Sequence, residues 1–154
     1  MAKALANKAI TLGQLDRPAD ALAVYDEVVV RFGDASELAI REQVAKALAN
    51  KAFTLGQLDR AADALPAYDE LVARFGDAPE ATLREQVAKA LVNKAVTLGR
   101  LDRAAEALAT YDEVIVRFGE TASRSQPGQT TTALPGDNET KPPQVARVAG
   151  QGSH

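Results

Sequence analysis

The chain has 154 residues, 46% of them apolar but only 5% aromatic, so Ala, Leu and Val must fill any core. A net charge of −3 lacks the basic excess that binding to a phosphate backbone needs, so nucleic acid is not an expected partner. The absence of cysteine excludes disulfides, Cys-based zinc sites and thiol nucleophiles.

In chain order, the first segment already announces a repeat. Lys3-Ala4-Leu5-Ala6-Asn7-Lys8 recurs at residues 46–51, and again at 89–94 with Val92 for Ala. The period is 43 residues both times. Thr-Leu-Gly recurs at 11–13, 54–56 and 97–99, Tyr-Asp-Glu at 25–27, 68–70 and 111–113, and Arg-Phe-Gly at 31–33, 74–76 and 117–119. Each unit reads as two helices, here called helix A and helix B. The spacing predicts helices near 2–12, 17–32, 37–55, 60–75, 80–98 and 103–118.

Helix A of the first unit lacks the segment equivalent to Leu38–Ala45, so that unit is predicted to be truncated. Val44, Leu48, Ala52 and Leu55 form the packing face of helix A. In helix B the apolar stripe is Ala21, Leu22, Tyr25, Val28, Val29 and Phe32, repeated one and two periods later. Asp16, Asp59 and Asp102 are placed to cap helix B. Asp34 with Glu37, and Asp77 with Glu80, suit a capping box before helix A. Gly13, Gly56 and Gly99 are expected to end helix A, and Gly33, Gly76 and Gly119 to be left-handed stops after helix B. Pro66 should bend the second helix B.

From Glu120 the repeat stops, and residues 121–154 are rich in Thr, Pro, Gly, Ser and Gln without apolar period. They read as an extended tail with sparse anchors at Leu134, Val145 and Val148. Part of residues 130–149 is expected to lie along a helix-A face near Asn50 and Asn93. Gly152-Ser153-His154 look like an expression-tag remnant. No apolar run approaches the about 20 residues of a membrane helix, and Met1 runs straight into the repeat. A cytoplasmic protein without membrane contact is therefore expected.

The repeat resembles the tetratricopeptide (TPR) family. The large first residue of that pattern matches Leu5, Leu48 and Leu91, and its helix-B Ala with aromatic matches Ala21 with Tyr25, Ala64 with Tyr68 and Ala107 with Tyr111. Lys8-Ala9, Lys51-Ala52 and Lys94-Ala95 stand where the family has Leu-Gly; Leu12, Leu55 and Leu98 stand where it has Tyr. The closing Pro falls on Gly33, Gly76 and Gly119, and the unit is nine residues longer than the usual 34. The resemblance implies an all-α, right-handed solenoid over residues 1–119, in units 1–33, 34–76 and 77–119, followed by a tail at 120–154.

It also implies a scaffold that binds an extended peptide in a concave helix-A groove. Lys3 with Asn7, Lys46 with Asn50 and Lys89 with Asn93 share a helix face, because each pair is four residues apart. Stacked, they would form a ladder resembling the asparagine ladders and carboxylate clamps of peptide-binding TPR domains, with Phe53 among them. The plainer alternative is an intrahelical pair, since Glu42 precedes Lys46 and Glu85 precedes Lys89 by four residues.

No enzyme is expected. The adjacent carboxylates Asp26-Glu27, Asp69-Glu70 and Asp112-Glu113 do not face one another and read as a solvated face. The only histidine is His154, which leaves neither a metal site nor a nucleophile–base pair, and no cofactor is implied. A second class of function is head-to-tail self-association into homo-oligomers, as a natural or engineered assembly unit. The ends lack polar capping repeats, and Val114, Ile115 and Phe118 mark the apolar C-terminal end.

Overall fold

The computed structural model describes residues 1–125, with side-chain placement to Gly119. Among them are six helices and no strand: α1 (Ala2–Gln14), α2 (Pro18–Phe32), α3 (Leu38–Gln57), α4 (Ala61–Phe75), α5 (Ala81–Arg100) and α6 (Ala104–Ser125). Met1–Arg117 form one compact unit. The end of α6 from Phe118 is assigned to a second unit.

Within Met1–Arg117, α2 packs against α1 and α3, and α4 against α3 and α5. In addition α3 touches both α1 and α5, so the A helices are neighbours. The cause is the apolar stripe. Val44, Leu48, Ala52 and Leu55 of α3 are buried, as are their counterparts Val87, Leu91, Ala95 and Leu98 of α5. Tyr25, Val28, Tyr68 and Leu71 are buried from the other side. Alanine at 45, 47 and 90 is fully or almost fully buried, and its small side chain is what lets these helices approach.

The helix junctions differ from the sequence expectation. Asp16, Asp59 and Asp102 do not cap helix B; they are the left-handed residues, with φ of 59°, 57° and 59°. The Arg17 amide donates to the Leu12 carbonyl and the Asp16 amide to the Gly13 carbonyl, which together make a Schellman closure of α1. Arg103 and Asp102 close α5 in the same way onto Leu98 and Gly99. Gly13, Gly56 and Gly99 therefore lie inside α1, α3 and α5, each of which runs on to the following residue. Aspartate tolerates the left-handed region better than most residues, so three repeated aspartates could serve where glycine is usual.

Gly33 and Gly76 are not left-handed either: both have ordinary helical angles, φ −58° and −57°. Their lack of a side chain answers to space. A Cβ on Gly33 would sit 2.5 Å from the Val29 carbonyl oxygen and 2.9 Å from Nη1 of Arg74. Gly119 lies within α6, which continues to Ser125 rather than ending at 118. Glu120 follows it where Asp34 and Asp77 follow Gly33 and Gly76, and glutamate favours helix over turn. Glu37 and Glu80 occupy the positions before α3 and α5, without a side-chain cap, so the proposed capping boxes do not form. α4 runs unbroken through Pro66.

Candidate functional site

A cleft in Met1–Arg117 lies between α1 and α3 above the start of α2, with a volume of about 470 Å³. It is built by the repeat itself: α1 and α3 are successive A helices, so equivalent faces of two units stand side by side. Ile10 from α1 and Phe53 from α3 supply its apolar walls. Phe53 is 60% exposed. Gln14, Asp16, Asn50 and Gln57 also border it. Tyr25 lines it while remaining buried, and desolvation pushes its phenol above the ordinary tyrosine value.

The ladder residues are not gathered in one place. Asn50 and Phe53 line this cleft. Lys46 lines a smaller one of about 210 Å³ with Glu42, Thr82, Glu85 and Gln86, between α3 and α5. Lys3, Asn7, Lys89 and Asn93 are exposed and border neither cleft. Lys89 Nζ lies 2.6 Å from Glu85 Oε1, the intrahelical pair anticipated from spacing, and this holds the Glu85 carboxyl below the ordinary range. Glu42 behaves differently, accepting the Thr82 hydroxyl across to α5.

The carboxylates read as a solvated face do more than that. Asp26 Oδ1 lies 2.6 Å from Lys51 Nζ, and Asp69 Oδ1 lies 2.7 Å from Lys94 Nζ. Each ties a helix B to the next helix A. The partner residues Glu27, Glu70 and Glu113 pair with Arg31, Arg74 and Arg117 one turn on. No group of three or more Asp, Glu, His or Cys among the described residues could hold a metal ion. No helix among them is long and apolar enough to cross a membrane.

At the C-terminal end, Ile115 is exposed while Val114 and Phe118 are half-buried. The sequence reading missed two members of this surface. Leu108 is 65% exposed, against 8% for its counterpart Leu65. Tyr111 is 37% exposed, against 4% for Tyr68. Their exposure was legible from repeat counting, since each is the copy of a residue that the next helix A covers. The placement of residues 130–149 on a helix-A face falls outside the described residues. No family model matches the chain, and no curated protein matches it.

Proposed function

We propose that the chain is a non-catalytic, TPR-like solenoid module that binds an extended peptide in the cleft between α1 and α3. The contacts of α3 with both α1 and α5 support the stacking of three units, with the A helices forming one right-handed face. The observation that carries the binding reading is that the exposed Phe53 lines one cleft with Ile10 and Asn50. An apolar wall with a few fixed amides is the composition of a site that takes a side chain and holds the neighbouring backbone. Asn50 can donate to a peptide carbonyl and accept from a peptide amide at once.

The lysines lie outside this cleft and Asp16 borders it, so the favoured peptide is neutral or weakly basic around an apolar anchor. A C-terminal carboxylate is the less suited ligand there. Screening the full chain against an array of extended peptides, followed by amide NMR titration of the best binder, tests the reading. The expected result is shifts centred on Ile10, Asn50 and Phe53, with binding lost in Phe53→Ala and weakened in Asn50→Ala. Peptides that shift no cleft amide, or that bind Phe53→Ala undiminished, would remove it.

A further inference from the structure

The interface between one helix B and the next helix A occurs twice inside the chain, and residues equivalent to its two halves are exposed on α6 and on α1. Between α4 and α5 three contacts mark its register, and the third recurs between α2 and α3. Leu65 shares a buried cluster with Leu98. The Tyr68 phenol faces the Thr97 hydroxyl. Asp69 pairs with Lys94, as Asp26 does with Lys51.

One period on, α6 carries the helix-B half uncovered: Leu108, Tyr111 and Asp112 are all exposed. One period back, α1 carries the helix-A half: Lys8 and Thr11 are exposed and Leu12 is half-buried, whereas Thr54, Thr97, Leu55 and Leu98 are buried. Ala4 is exposed where Ala47 and Ala90 are buried. Neither Lys8 nor Asp112 has an ion-pair partner among the described residues.

We propose that a second copy of this chain docks head-to-tail, α1 of one on α6 of the other, repeating the internal interface. Lys8 of one copy then meets Asp112 of the other, Leu12 meets Leu108, and Thr11 meets Tyr111. The charges are opposite and in the register of both internal pairs, and the apolar positions match in the same order. An isologous contact between two α6 faces would not bring Lys8 to Asp112 and so would not reproduce the internal pairs. A heterologous contact of this kind grows past a dimer, closing into a ring or continuing as a filament. The arginine stitch between successive B helices is not reproduced, because Gly119, the counterpart of its Gly33 acceptor, lies inside α6.

Sedimentation velocity on the full chain over a wide concentration series tests this. The weight-average mass should climb beyond a dimer. Leu108→Glu, at an exposed position that leaves the fold intact by circular dichroism, should hold the chain as a monomer. K8E and D112K should each weaken association roughly fivefold, a surface ion pair's worth, and the double variant K8E/D112K should recover it. Phe53→Ala should associate normally, which separates this result from the peptide cleft. A monomer at every concentration, a ceiling at the dimer, or association indifferent to the charge reversals overturns the proposal.

Discussion

Nη1 of Arg74 donates to the carbonyl of Gly33 at 3.1 Å, joining the last turn of α4 to the end of α2 in the preceding unit. The contact recurs in outline one period later, where a Cβ on Gly76 would come within 3.2 Å of Nη1 of Arg117. The Arg-Phe-Gly motif is thus a stitch between units: glycine opens the space and the arginine of the next unit enters it. Glu70 orients the guanidinium by accepting from Nε at 2.9 Å.

Opposite signs for two glycine substitutions follow. Gly33→Ala crowds the Val29 carbonyl and the Arg74 guanidinium, and should cost about 1–3 kcal/mol, the usual range for overpacking. Gly13→Ala lies in the last turn of α1 with nothing within 4 Å of its new Cβ. It should stabilise by about 0.5–1 kcal/mol through helix propensity. Thermal melts of the two variants check the pair, and a common sign would show that space at Gly33 is not the issue.

The aspartates at the A-to-B turns separate two roles by a similar contrast. At a left-handed φ, Asp59→Gly relieves strain and should raise stability by about 0.5–1 kcal/mol, whereas Asp59→Val should lower it by more than 1 kcal/mol. Were Asp59 a helix cap, glycine would instead cost a few tenths of a kcal/mol. Urea midpoints for the two variants decide it.

What the sequence could and could not disclose follows from the kind of signal each feature leaves. Helix positions were legible because Leu48, Leu71 and Leu91 repeat a burial pattern at a fixed period. The junctions were misread because aspartate before an arginine suits either a cap or a left-handed turn. In the structure Arg17, Arg60 and Arg103 follow the left-handed aspartates and pair one turn on with Asp20, Asp63 and Glu106. Asn50 was placed in a cleft and Asn7 and Asn93 were not, although the three share one motif. Which copies face a gap depends on how neighbouring A helices sit together, and on single changes such as Phe53 against Ile10 and Val96. No motif encodes that.

Adjacent residues of α4 should differ sharply on truncation. Tyr68 is buried, so Tyr68→Ala should destabilise by about 3–5 kcal/mol, in line with other core aromatics. Asp69→Ala loses only a half-exposed pair with Lys94, about 0.2–1 kcal/mol, less at high salt. Chemical denaturation with and without added salt measures both.

Stability should fall in alkali, and Tyr25 gives the fall a specific handle. Burial raises its phenol above the ordinary value, while in the unfolded chain it titrates near pH 10. The folded state therefore holds its proton to higher pH than the unfolded state does. The stabilising contribution is complete below about pH 10 and is lost as pH rises from there through the folded value. Tyr68 adds to the same trend, its burial opposed by the Thr97 hydroxyl and the charge of Arg100. Tyr25→Phe removes one titrating group and keeps the ring in place. Its unfolding free energy should decline less steeply between pH 9 and pH 11, roughly the window around the ordinary tyrosine value, than that of the wild type. Parallel curves for the two proteins would mean that the Tyr25 phenol titrates alike in the folded and unfolded chain, and that its burial does not hold the proton.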